Sequence, residues 1–210
     1  MAINITPILC GQLAENAYLV YADDREDCFV IDPGDDLDQI LACVKDSGKK
    51  LTDILLTHGH FDHMLCAPHL KKMTGAKVHV HEGDQAMLND KHLNLFHQPW
   101  CSLPMLPMEA DVVYSGDGTK TTICGFEITV LHTPGHTPGS ACYLLEGEKI
   151  MFSGDTVFAY GYGRVDFPGG DVKQLTASLK RIIRMPGDIR VYSGHGEVSN
   201  IERITRGLLG

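Results

Sequence analysis

The chain has 210 residues, 43% of them hydrophobic and 21% charged, with a formal net charge of -9. That length and balance describe one large folded domain that needs no covalent staples, and they exclude a disordered chain. The acidic excess argues against a nucleic-acid backbone or an anionic membrane as partner, and no apolar run approaches the ~18 residues of a membrane-spanning helix.

Residues 1–10 lack the basic start and apolar core of a signal peptide, so a cytoplasmic protein is expected. Short β-branched or aromatic runs predict strands at 3–9, 16–22 and 28–31, the last stopped by Asp32-Pro33-Gly34. Leu37, Ile40, Leu41 and Val44 keep helical spacing before Gly48, and an apolar strand follows at 53–57. A helix is predicted over 64–73, a strand at 77–80, and a helix at 82–89. Residues 93–109, with three prolines and the single Trp100, read as an irregular loop. Strands resume at 120–123, 126–131, 140–145 and 149–152. A helix starting near Asp171 carries Leu175, Leu179, Ile182 and Ile183 on one face and ends at Pro186-Gly187. A last strand at 189–192 precedes His195 and a short terminal helix. No linker or repeat divides the chain, and two strand-rich halves with helices predict sheets packed together with helices outside.

The seven cysteines are odd in number, scattered and without a CxxC, which predicts reduced thiols packed as small apolar groups. Histidine is the unusual residue: its 11 copies outnumber Cys, Met, Phe or Tyr. Three of them fall with one aspartate in Thr57-His58-Gly59-His60-Phe61-Asp62-His63, directly after an apolar strand. In extended chain His58 and His60 point the same way, ~7 Å apart, and converge on one cation after a modest bend at Gly59. Asp62 and His63 lie beyond the bend and face a second position. Four such donors within six residues predict a metal site. Three further strand ends repeat the pattern of a Gly-rich turn with a ligand-type side chain: 132–139 with His136, 152–156 with Asp155, and 192–196 with His195.

The ordered set His58-x-His60-x-Asp62-His63, His136, Asp155 and His195 resembles the metallo-β-lactamase superfamily, over nearly the whole chain from Asp32-Pro33-Gly34 onward. Residues 57–63, 132–139 and 153–158, with the run Gly163-Arg164-Val165-Asp166-Phe167, are most similar to its glyoxalase II-like, small single-domain branch. The resemblance implies an α/β fold, an αβ/βα four-layer sandwich of two mixed sheets with helices on the outer faces. It implies His58, His60 and His136 on one metal, Asp62, His63 and His195 on a second, and Asp155 between them. Two divalent ions, zinc first with iron or manganese as alternatives, then carry a net charge of about +1 after Asp62, Asp155 and a bridging hydroxide. The implied activity is thioester hydrolysis by that hydroxide, on a substrate such as S-lactoylglutathione, with Asp62 relaying the proton. An iron-dependent persulfide dioxygenase-like activity and a non-catalytic metal-binding module are the alternatives.

Four further readings accompany this. Asp32 either orients an imidazole, as the resemblance implies, or bonds its own turn. Arg164 either clamps a substrate carboxylate or pairs with Asp166. His132 is expected as a supporting or core residue. His69, His79, His81, His92 and His97 belong to no motif, with His97 placed near Trp100 as a candidate cleft residue. The chain ends at Gly210 without the helical extension that supplies glutathione contacts in full-length glyoxalase II. The expectation is therefore a single hydrolase domain over 1–210, acting on a small-molecule thioester as a monomer or small homo-oligomer, with neither nucleic acid nor membrane as partner.

Overall fold

A computed structural model describes residues 2–96 and 101–209. The first sheet has six strands: β1 (Ile3–Cys10), β2 (Glu15–Ala22), β3 (Asp27–Ile31), β4 (Lys50–Leu55), β5 (Lys77–His81) and β6 (Val112–Tyr114), in chain order across the sheet. β1, β2 and β3 pair antiparallel, whereas β3 to β6 run parallel. Helices α1 (Leu37–Ser47), α2 (Phe61–Met64) and α3 (Ala67–Thr74) lie in the crossovers. The second sheet holds β7 (Thr119–Ile123), β8 (Phe126–His132), β9 (Ala141–Leu145), β10 (Ile150–Gly154), β11 (Arg190–Ser193) and β12 (Ser199–Asn200). Only β10 and β11 pair in parallel there, joined through α4 (Val172–Ile182); α5 (Ile201–Leu209) closes the described chain.

Side-chain alternation builds the layers. Tyr18, Val20, Phe29, Ile31 and Leu55 point from the first sheet into a shared core with Phe126, Val130, Tyr143 and Phe152 of the second. Their neighbours Leu19, Val30, Ile54 and Leu56 face the other way, against Ile40 of α1 and Leu70 of α3. Met151 and Val191 on the far face of the second sheet meet Ile182 of α4 and Ile204 of α5. The result is the αβ/βα sandwich of two mixed sheets.

Several element limits differ from the sequence reading. The helix expected over 64–73 is split into α2 and α3, because the Cys66 amide leaves the helical ladder and donates to the carbonyls of Pro33 and Gly34 at 3.0 and 2.8 Å. Pro68 then sits in the first turn of α3, where its missing N–H costs nothing. Residues Glu82–Leu88 form a 3-10 helix rather than an α-helix. β6 and β12 were not anticipated, since three and two residues carry too little pattern to read. The seven thiols are unpaired, five of them buried. Burial pushes Cys28 and Cys124 up to about 12, so these are inert packing groups.

Candidate metal centre

Four strand ends deliver side chains to one edge of the sandwich. The turn after β4 carries His58 to His63, the turn after β8 carries His136, and β10 and β11 end just before Asp155 and His195. One donor atom each from His58, His60 and His136 lies within 4.8 Å of the others, and Asp62, His63 and His195 form a second such group. Asp155 stands between the two. Its Oδ1 is 3.4 Å from His63 Nε2, and its Oδ2 is 3.7 Å from both His136 Nε2 and His195 Nε2. All seven residues singled out from the sequence therefore meet.

The neighbours of three imidazoles determine where the ring protons sit. His136 Nδ1 is 2.7 Å from the Arg164 carbonyl, which only accepts. His63 Nδ1 is 3.0 Å from the Asp32 carboxylate. The Thr57 hydroxyl donates to Asp32 at 2.6 Å, so its oxygen is left to accept from His58 Nδ1 at 3.1 Å. Each ring thus carries a proton on Nδ1 and turns Nε2 inward; burial opposes charge on His63, but the carboxylates of Asp155, Asp62 and Asp32 push it well above the usual histidine range. The Nε2 atoms of His58, His60 and His63 and Oδ1 of Asp155 are buried with no hydrogen-bond partner. Buried polar atoms are nearly always paired, so convergent lone pairs of this kind fit divalent cations.

Burial first, and then the surrounding imidazoles, hold His58 well below the usual histidine range and His60 at about 3. Both are neutral, the form that ligates. At Asp155 burial opposes ionisation but is outweighed by His63, His195 and His136, which draw the carboxyl down. Asp62 is drawn down in the same way, chiefly by His63.

Asp32 bonds across the fold rather than within its own turn: it accepts from the Thr57 amide and hydroxyl and orients His63. The Arg164 side chain is engaged by Asp166 through two contacts of 2.6 Å, so what it brings to the centre is its backbone carbonyl on His136. His132 stacks on His81 at 3.9 Å, and His79 bridges Asp53 and Tyr114, both away from the donors. His97 and Trp100 lie outside the described residues. Gly59 makes room for Met87, whose Cβ would lie 2.6 Å from an added Cβ, rather than supplying a special backbone angle. A Cβ at Gly194 would collide with His63 and Asp155.

Two residues that no motif marks complete the frame. The buried Asp84 accepts from the Gly59 and Gly139 amides and the Thr137 hydroxyl, at 2.9, 2.6 and 2.6 Å, and so ties the His58–His60 turn to the His136 turn. The carboxyl group of Glu15, also fully buried and pushed well above the usual carboxylate range by that burial, lies 3.8 Å from His63 with both oxygens unpaired. Next to it, Asn16 and Tyr18 bond the backbone around His195. Their only linear signal is a polar residue inside or beside an apolar run, which many surface positions share.

A family model, the metallo-beta-lactamase superfamily, matches residues 10–195. The chain belongs to that superfamily. It is similar to the hydroxyacylglutathione hydrolase GloC of Haemophilus influenzae, 32% identical across 96% of this chain and 93% of that protein. Among solved structures it superposes on the BLEG-1 B3 metallo-beta-lactamase with a TM-score of 0.87, at 33% identity, covering 95% of each chain. TTHA1623, solved in a di-iron-bound form, matches with a TM-score of 0.79 at 34% identity, covering 96% of this chain and 98% of that one. This superfamily member is thus a metal-binding hydrolase in fold and donor set. No helix among the described residues is long and apolar enough to cross a membrane.

Proposed function

We propose that the protein is a binuclear metallohydrolase that cleaves acyl thioesters. His58, His60 and His136 would hold one divalent ion, Asp62, His63 and His195 the other, and Asp155 would bridge them. Zinc is the first candidate metal, with iron or manganese as alternatives, and the di-iron form of TTHA1623 keeps iron in view. The observation that carries the reading is the set of buried donor atoms without a hydrogen-bond partner, Nε2 of His58, His60 and His63 and Oδ1 of Asp155, with Nε2 of His136 and of His195 each 3.7 Å from Asp155 Oδ2.

When bound, such a pair of cations supplies hydroxide at neutral pH and stabilises the developing oxyanion. The protein does the rest. Oxygen from water adds to the acyl carbon, the C–S bond breaks with its electron pair on sulfur, and the products are a carboxylic acid and a thiol. Asp62, kept ionised and 3.5 Å from His195 Nε2, takes the proton released by the attacking water and passes it to the departing thiolate. A thiol pKa of ~8.5 makes that leaving group good enough to need no stronger acid.

The test is elemental analysis of protein purified without added metal, followed by assays on the same sample with S-lactoylglutathione, other acyl thioesters and a β-lactam. Two metals per chain with thioester turnover is the expected result. A metal-loaded protein that cleaves no thioester overturns the reading. One iron per chain with sulfide-dependent oxygen uptake would replace it with a persulfide dioxygenase, and turnover confined to the β-lactam with a lactamase.

A further inference from the structure

A thioester sends two arms away from its reacting carbonyl, the acyl group and the thiol carrier. The cavity over the donor residues, about 550 Å³, is walled by Leu13, Phe61, Leu95, Phe158, Tyr162 and Phe167. The only lysine or arginine lining it among the described residues is Arg164. Its guanidinium already meets both oxygens of Asp166 and stacks 4.0 Å from the centre of the Phe167 ring. The walls therefore offer no unengaged lysine or arginine to a carrier carboxylate, and they offer a large apolar surface.

Tyr162, 54% exposed, forms part of this cavity and also of a second groove of about 240 Å³ between α4 and α5. That groove is lined by Leu175, Leu179, Ile183, Val172 and Leu209, with Thr176 and Lys180 among them. Val172 and Leu209 are 61% and 72% exposed, a high exposure for aliphatic side chains lining one groove. Tyr162 lines both this groove and the cavity over the donor residues and so stands between them. Common biological thiol carriers bear several charged or strongly polar groups, so the arm that suits a groove lined mainly by aliphatic side chains, with Lys180 its one charged residue among those described, is the acyl arm.

We infer that the preferred substrates are thioesters of unbranched apolar acyl groups of medium length, the chain passing Tyr162 into the groove between α4 and α5 while the polar carrier points to solvent. This rests on the thioesterase reading above and names its substrate class.

The experiment uses acetyl, butyryl, hexanoyl and octanoyl thioesters of N-acetylcysteamine, a small uncharged thiol, below their aggregation limits. The value of kcat/KM should rise about fourfold per methylene as each is removed from water. Val172→Asp should lower the octanoyl-to-acetyl ratio of kcat/KM more than tenfold, and so should Leu209→Ser. Val172 is the first residue of α4, where an aspartate suits the helix dipole, so folding should persist. Val172→Leu should keep the ratio. In parallel, calorimetry with S-octyl and S-methyl thioethers of the same thiol should show the octyl compound binding at least tenfold tighter, an advantage lost in Val172→Asp. A flat chain-length series with equal thioether binding, or ratios unmoved by both groove variants, overturns the inference. Octyl-selective binding that Val172→Asp abolishes, without turnover of any thioester, keeps the groove and sinks the thioesterase reading instead.

Discussion

Asp32 Oδ2 lies 3.0 Å from His63 Nδ1, although 31 positions separate the two residues. A carboxylate only accepts, so the contact assigns the ring proton to Nδ1 and commits Nε2 to the centre. Asp32 is itself pinned by two donations from Thr57, at 2.7 and 2.6 Å. Asp32→Ala should free the ring and weaken metal binding in the group of Asp62, His63 and His195 by about 10- to 100-fold. Titration with a competing chelator reads this directly. Unchanged affinity would mean that packing alone orients His63.

Asp155 is the residue shared by both donor groups. Asp155→Ala should therefore lower the metal content of both, whereas His60→Ala should lower mainly one. Metal analysis after dialysis separates the two outcomes. Stripping the wild type with a chelator should also lower its melting temperature, because metal at 100 times its dissociation constant stabilises the folded state by ~2.7 kcal/mol. A melting temperature indifferent to the chelator would contradict a loaded native state.

Asp84 lies 55 positions from Gly139 and joins its turn to the turn at Gly59. Asp84→Ala would leave the buried Gly59 and Gly139 amides without an acceptor and the Thr137 hydroxyl with Ser140 alone, at 2.7 Å. At about 1–3 kcal/mol for each orphaned group, and less than additive, the loss should be ~3–5 kcal/mol. Urea denaturation measures it. Asp84→Asn, which keeps the volume and one acceptor, should lose less, and equal losses would show that volume alone matters.

The Arg164–Asp166 pair is exposed, with side chains 58% and 64% accessible. Solvent and salt screen such a pair, so it contributes little to stability. Arg164→Met should therefore shift the melting temperature only slightly. It should also leave metal content intact, because His136 is held by the backbone carbonyl rather than the guanidinium. A large rise in KM for a carboxylate-bearing thioester would restore the guanidinium as a substrate clamp.

By itself the sequence pointed to sheets packed with helices outside and to ligand-type side chains at four strand ends, because both depend on local pattern; the assignment of seven of them to two metals came from the resemblance. Alternation with period two assigns the faces of β2, β3 and β10. A strand end followed by a glycine turn fixes where a side chain is presented, and His58, His60, Asp62 and His63 are compressed into one such turn. Only the tertiary structure decided how those donors are held. Asp32 reaches His63 across 31 residues, Asp84 reaches Gly139 across 55, and Arg164 offers His136 its carbonyl while its side chain turns to Asp166. Contacts of that kind leave no periodicity in the chain. A buried aspartate beside an apolar run looks the same in sequence as an exposed one, and the difference arises when two sheets bring distant backbone donors to its oxygens.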